Sequence, residues 1–72
     1  MTNGKSIVKK EGVVQEALPS LTFRIQLDDG KEILGHLAGR LRIHHIKIIP
    51  GDRVIVEMAS EDDKRGRITR RL

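Results

Sequence analysis

A small all-β barrel of five short strands, with a short helix between the third and fourth, is the fold class the sequence predicts. Three observations carry it. Apolar and polar residues alternate with a period of two, Gly- and Pro-containing turn signals separate the alternating runs, and a single stretch departs from alternation toward helical spacing.

The clearest strand covers residues 21–27, where Leu21, Phe23, Ile25 and Leu27 alternate with Thr22, Arg24 and Gln26 and turn one apolar face inward. Asp28-Asp29-Gly30 follows. Asp-Gly between two strand patterns signals a hairpin, because a tight turn needs residues that tolerate positive φ. The return strand runs over residues 31–38, and its Gly35 marks a bulge or a bend of the kind that curls a small sheet toward closure. Upstream, residues 7–18 read as one long strand interrupted at Gly12 and ended by Leu18-Pro19-Ser20, since proline has no N–H to give a ladder. Downstream, Val54, Val56 and Met58 alternate with Arg53, Ile55 and Glu57 over residues 52–58. Residues 66–72 form the last strand, with Ile68 and Leu72 facing the core. That phase sends Arg67, Thr69 and Arg71 outward and places Arg70 inward or at a frayed end.

Residues 39–49 lack strict alternation. Leu41 and Ile46, or Ile43 and Ile46, stand at near-helical spacing, so a turn or two of helix fits before the Pro50-Gly51-Asp52 turn. Five strands with a helix between the third and fourth is the element order of the oligonucleotide-binding barrel. An SH3-like barrel would carry its helical turn between the last two strands instead.

The length, 72 residues and 8.1 kDa, holds one domain, residues 1–72, with residues 1–5 expected as a flexible N-terminus. The chain has no cysteine, which excludes a disulfide framework and thiolate metal sites and fits the cytosol. No apolar run nears the roughly 18 residues of a membrane span, and Met1-Thr2-Asn3-Gly4-Lys5 leads into no signal-peptide core. The expected localisation is therefore cytoplasmic, with no membrane partner.

Fourteen Lys and Arg against ten Asp and Glu leave a net charge of +4. Residues 1–38 hold five of each sign; residues 39–72 hold nine basic and five acidic residues, so the second half carries the whole excess. Seven of those nine are arginines, whose planar fork suits phosphates and base edges. A small, basic barrel of this kind points to nucleic acid. Phe23 is the only aromatic residue and falls on the inward face of its strand, so an exposed stacking platform for unstacked single strands is missing. Binding through phosphates, 2′-hydroxyls and shape suits structured RNA.

The densest basic constellation is Gly39-Arg40-Leu41-Arg42-Ile43-His44-His45-Ile46-Lys47. Its apolar residues can pin the segment to the barrel while Arg40, Arg42 and Lys47 stay outside. Adjacent histidines point to different faces, and His44 and His45 have no third ligand nearby, so no metal is expected. His36, between Leu34 and Leu37, reads as a surface or half-buried strand residue. A second constellation, Glu61-Asp62-Asp63-Lys64-Arg65-Gly66-Arg67 followed by Arg70-Arg71, runs three acids into a basic cluster. The acids either form a solvated loop that screens the arginines or repel RNA and bias which side engages it. Nothing resembles a catalytic site: there is no Cys, no glycine-rich phosphate loop, and Ser6, Ser20 and Ser60 lack a His and carboxylate pattern. No enzymatic activity and no cofactor are expected.

Five stretches, Glu16-Ala17-Leu18-Pro19, Phe23-Arg24-Ile25-Gln26-Leu27-Asp28-Asp29-Gly30, His36-Leu37-Ala38-Gly39-Arg40-Leu41-Arg42, Ile46-Lys47-Ile48-Ile49-Pro50-Gly51-Asp52-Arg53-Val54 and Arg65-Gly66-Arg67-Ile68, carry a family resemblance. Over about residues 11–70 the chain closely resembles bacterial and plastid translation initiation factor one. The resemblance implies a five-stranded, S1-like oligonucleotide-binding barrel. It also implies a factor that acts as a monomer in the aminoacyl-tRNA (decoding) site of the small ribosomal subunit, touching 16S rRNA and a neighbouring ribosomal protein and cooperating with the other initiation factors. The compartment would be the bacterial cytoplasm, or the plastid stroma for a plastid-encoded chain. Carried over by position, the rRNA-binding residues are Arg40, Arg42, Lys47, Arg65 and Arg67, with His44, His45 and Arg71 beside them; His45 stands where the family commonly has an aromatic residue and would supply its stacking surface. The chain departs from the family at Ser60-Glu61-Asp62-Asp63, where Pro-Tyr-Asp-Leu is usual, and at Arg70, where a bulky residue is usual. A free RNA chaperone with the same type of barrel, similar to cold-shock proteins, is the alternative function; a protein-binding adaptor using a barrel edge is a third.

Overall fold

Strands β1 (Val8–Leu18), β2 (Thr22–Leu27), β3 (Glu32–Leu37), β4 (Arg53–Met58) and β5 (Arg65–Arg71) make up most of the molecule, and one helix, α1 (Gly39–Ile43), stands between β3 and β4. The computed structural model describes residues 7–44 and 46–72, with Arg40 described by its backbone alone; the stretch 1–5 expected to be flexible lies outside the described residues. The strands close into a barrel in the order β1-β2-β3-β5-β4, and β4 pairs back to β1. β3 and β5 run parallel; every other neighbouring pair is antiparallel. This is the five-stranded oligonucleotide-binding barrel, with its helix inside the stretch where alternation lapses.

β1 closes the ring by serving two neighbours. Residues 8–13 pair with β4 and residues 12–18 with β2, so Gly12 belongs to both ladders. Gly12 therefore does not interrupt the strand, contrary to the interruption expected from the sequence; it sits where a second backbone comes close. A Cβ there would lie 2.7 Å from the Gln26 carbonyl oxygen and 3.0 Å from Leu27 Cα. Gly35 also differs from expectation. Pairing of β2 with β3 runs through it without a register shift, and its missing side chain makes room for Ile25, whose Cδ1 would stand 2.6 Å from a Cβ. The irregularities that bend the sheet lie elsewhere: Gln15 is an extra residue in β1 opposite β2, and Thr69 an extra residue in β5 opposite β4.

The barrel is filled by Val14, Phe23, Ile25, Leu27, Ile33, Leu37, Val54, Val56, Met58 and Ile68, with Leu41 and Ile48 from the β3–β4 connection closing one end. Phe23, 5% exposed, takes the core place that alternation assigns it. Leu21 does not. It lies before β2, in the turn with Ser20, at φ 56° beside Ser20 at φ 64°, and it is 47% exposed. Two consecutive non-glycine residues in the left-handed region cost about 1–2 kcal/mol each. The hairpin holds them because β1 and β2 pair on through Leu18 and Thr22 on either side. Leu72, 57% exposed, also falls outside the core.

At the β2–β3 hairpin Gly30 has φ 96°, as the Asp-Gly signal requires, and its N–H donates to the Leu27 carbonyl at 2.9 Å. At Ile49-Pro50-Gly51-Asp52 the Asp52 N–H reaches the Ile49 carbonyl at 3.1 Å and Gly51 has φ 97°, the arrangement of a type II turn with proline and glycine at its centre. The Asp52 carboxylate accepts the Ile49 N–H, and the Gly51 N–H donates to the Val14 carbonyl at 2.8 Å, docking the turn onto β1.

Candidate nucleic-acid interface

The segment after β3 starts with a short helix because Ala38 offers its carbonyl to two amides, Leu41 N–H at 3.0 Å and Arg42 N–H at 3.2 Å. The Ile46 N–H then closes on the Leu41 carbonyl at 3.0 Å. Leu41 and Ile48 are buried and Ile46 packs against the core, so three apolar anchors pin the segment. Arg42, Ile43, His44 and Lys47 are left exposed. The pinned basic segment expected from the sequence is present, with two parts outside the described residues: the side chain of Arg40, and His45 with the stacking role expected of it.

Arg42 and Lys47 border a groove whose other lining residues, Leu21, Phe23, Leu37, Ile46 and Ile48, are all apolar. A second groove lies on the other side of the same segment, lined by Leu41, Ile46, Thr69, Arg70 and Arg71. Neither groove has a carboxylate among its lining residues. Arg71 is joined to the segment directly: its Nη1 donates to the Lys47 carbonyl at 3.0 Å.

Arg65 and Arg67 do not join that cluster. They stand on the barrel wall, where Arg65 registers with Leu34 and, across β3, with Arg24, while Arg67 registers with His36 and, across β3, with Thr22. Arg65 shares a shallow pocket with Arg24, Lys64 and the carboxylate-bearing Glu32, and Arg67 lies 3.8 Å from the Glu57 carboxylate. His36 is exposed, as expected, with Nδ1 3.4 Å from the Thr22 hydroxyl. The candidate residues thus form two groups, one at the helix end of the barrel and one on the β3–β5 wall. The sequence reading misses Arg24 and Arg70 as members. Arg24 is findable as an outward residue of β2. Arg70 is not, because the alternation argument turns it inward or leaves it at a frayed end; it is exposed.

Some acidic residues pair with the wall arginines, Glu16 lying 2.9 Å from Arg24 Nη2, and others are engaged away from both groups. Arg53 Nη2 lies 2.6 Å from Glu11 and 2.8 Å from Asp28, and these two hydrogen bonds, Glu11 first, raise its pKa further. That arginine is neutralised within the fold. Lys10 Nζ donates to Asp29 at 2.8 Å and stands 3.6 Å from Glu61; the bond to Asp29 raises the Lys10 pKa. The same bond, helped by the Lys31 N–H, holds the Asp29 carboxyl below its ordinary value of 3.8. In the loop between β4 and β5, Asp63 accepts the N–H groups of Ala59 and Ser60, and the Glu61 carbonyl accepts Lys31 Nζ at 3.0 Å. The acidic triplet therefore closes its own loop and ties it to the β2–β3 hairpin. Among the described residues no group of three or more His, Cys, Asp or Glu could hold a metal ion, and no helix is long and apolar enough to cross a membrane.

This geometry coincides with a family. The model of translation initiation factor 1A / IF-1 matches residues 3–72. The chain belongs to the translation initiation factor 1A / IF-1 family. A solution structure of translation initiation factor IF-1 from the Wolbachia endosymbiont strain TRS of Brugia malayi is 47% identical, with a TM-score of 0.76 over 94% of this chain and 80% of that one. The crystal structure of YjeQ from Thermotoga maritima is 29% identical, with a TM-score of 0.72; the match covers 90% of this chain and only 23% of YjeQ. The IF-1 assignment agrees with the expectation raised by the sequence motifs, and the IF-1 fold accommodates both departures. At Ser60-Glu61-Asp62-Asp63 the capping carboxylate of Asp63 closes the loop, and Arg70 sits at the surface, where a charge needs no partner.

Proposed function

We propose that this chain binds structured ribosomal RNA in the aminoacyl-tRNA decoding site of the small ribosomal subunit during initiation, as a monomer, in concert with the other initiation factors and beside a neighbouring ribosomal protein. Family membership supports the initiation role. The single observation that carries the RNA reading is the helix end of the barrel, where Arg42, Lys47, Arg70 and Arg71 border two grooves free of lining carboxylates. The backbone that carries these guanidinium and ammonium groups is pinned by Leu41, Ile46 and Ile48, so binding phosphates need not order that segment as well as the side chains, which lowers the entropic cost of binding. Arg40, Arg42 and Lys47 would make the main contacts, with His44 and His45 beside them, and Arg65 and Arg67 would reach a second RNA element from the barrel wall. Binding, not catalysis, is the activity, and the cytoplasm or a plastid stroma is its place.

Cosedimentation with purified small subunits, with and without the other factors, tests this reading. Salt-dependent binding is expected, with protection of the decoding-site adenines on chemical footprinting and competition by tRNA in the aminoacyl site. Simultaneous saturating occupancy by that tRNA and this protein would overturn the placement. Equal affinity for generic single strands would favour the RNA chaperone instead.

A further inference from the structure

We propose that Arg71 is a positioning residue: it latches the segment after α1 to β5 and so holds Lys47 and its neighbours in their binding arrangement, rather than meeting RNA itself. This rests on the reading of residues 39–49 as RNA-facing.

The argument begins with the extra residue in β5. Val56 pairs with Ile68, but Ile55 pairs with Arg70 and Val54 with Arg71, so Thr69 is the unpaired residue of a bulge. Without it, alternation from Ile68 would send Arg71 to the outer face. Directly opposed residues of an antiparallel pair share a face, and Val54 is fully buried. The bulge therefore rephases the strand, so that Arg71 leaves it on the Val54 face at the end of the barrel, where its side chain is exposed. The segment that closes that end is the one carrying Ile46, Lys47 and Ile48.

From there the guanidinium reaches the Lys47 carbonyl at 3.0 Å. Strand pairing does not cover that carbonyl, because residues 46–49 belong to no strand. Two further bonds fix the latch from the strand side: the Thr69 hydroxyl donates to the Ile55 carbonyl at 3.4 Å, and the Leu72 N–H to the Arg53 carbonyl at 2.9 Å. An arginine committed to a backbone carbonyl has part of its donor set already engaged within the fold. Arg70, one residue earlier, equally charged and likewise exposed, lines the same groove as Arg71 and serves as the matched control for charge.

The test compares Arg71→Ala, Arg71→Gln and Arg70→Ala in the full chain by two readouts. Amide hydrogen exchange of the free protein reports the latch without RNA. Small-subunit affinity across a potassium chloride series reports the contacts. Arg71→Ala is expected to speed exchange at Ile46 and Ile49, whose N–H groups are bonded to the Leu41 carbonyl and the Asp52 carboxylate, and to weaken binding about tenfold, the size of one lost charge-assisted hydrogen bond. Arg71→Gln removes the charge and is two atoms too short to reach the Lys47 carbonyl, so it should match Arg71→Ala in exchange and affinity while both keep the parent's salt slope. Arg70→Ala should leave exchange at Ile46 and Ile49 unchanged. A direct phosphate contact by Arg71 would instead lower the salt slope by roughly one in both Arg71 variants, and that result overturns the proposal. Unchanged exchange in Arg71→Ala overturns it as well. Faster exchange with undiminished binding, in Arg71→Ala and in Arg42→Ala alike, would show that the segment does not face RNA; the underlying reading would then fall, and the positioning role with it.

Discussion

Adding one methyl group at Gly12 should remove a substantial share of the molecule's stability, although the backbone there suits any residue. In Gly12→Ala the new Cβ meets the Gln26 carbonyl oxygen at 2.7 Å, Ile25 Cγ2 at 2.9 Å and Leu27 Cα at 3.0 Å. Two of these three are backbone atoms of β2, so relief requires the strands to separate where β1 is already paired on both sides. Overpacking of this kind costs about 1–3 kcal/mol, and a rigid backbone neighbour places the cost at the upper end. Replacing glycine also restricts the unfolded chain, a gain of about 0.4–1 kcal/mol. The net loss is about 2 kcal/mol, and for a domain of this size it lowers Tm by roughly 8–16 °C. Gly39→Ala is the control, since a Cβ at Gly39 meets nothing within 4 Å and should leave Tm unchanged or slightly raised. Thermal melts followed by far-UV circular dichroism decide the matter. A Gly12→Ala protein that melts with the parent would refute the account of β1 as a strand squeezed by two ladders.

Three other perturbations separate core, charge and contact. Phe23→Ala empties the largest core side chain and should lose about 3–5 kcal/mol in denaturant titration, whereas Arg42→Ala, at an exposed site, should stay within about 0.5 kcal/mol of the parent while losing ribosome affinity. Asp29 has a folded-state pKa below its ordinary 3.8, so its stabilisation is complete above that value and disappears as pH falls through the lower folded value. Asp29→Asn should accordingly melt below the parent at pH 6 and converge with it in a melt series taken down to pH 2. Affinity for the small subunit should fall steeply with potassium chloride; a binding constant nearly flat across a several-fold range would contradict phosphate-dominated contact.

Much of the barrel is legible in the sequence because its signals are local. The alternation of Phe23, Ile25 and Leu27, the Asp29-Gly30 hairpin and the Pro50-Gly51 turn each follow from a few adjacent residues. What escapes depends on partners distant in sequence. Leu21 has the spacing of a strand residue, but the turn after Pro19 absorbs it into a left-handed pair that no hydrophobic pattern encodes. Gly35 suggests a bend because a glycine inside a strand looks the same whether it bends the chain or makes room for Ile25 from the neighbouring strand. Thr69 gives no sign that it is a bulge, so alternation places Arg70 inward or at a frayed end and reaches the exposure of Arg71 without the register that produces it. The candidate site shows the same division: the basic character of residues 40–47 is visible in sequence, but the separation of Arg65 and Arg67 from that end is a matter of register between β3 and β5.

The parallel pairing of β3 with β5 has a kinetic consequence. β1, β2 and β3 can zip through successive local turns, but β5 must return across everything from α1 to the β4 loop before it finds β3, and only then does β4 gain its second neighbour. Topologies dominated by such distant pairings fold slowly, in milliseconds to seconds. During synthesis the seven residues of β5 emerge after the other four strands, leaving β3 and β4 with open edges that another chain can pair with. The same late event installs Arg71 against Lys47. A nascent chain therefore cannot make the bond from Arg71 to the Lys47 carbonyl before its sheet is complete.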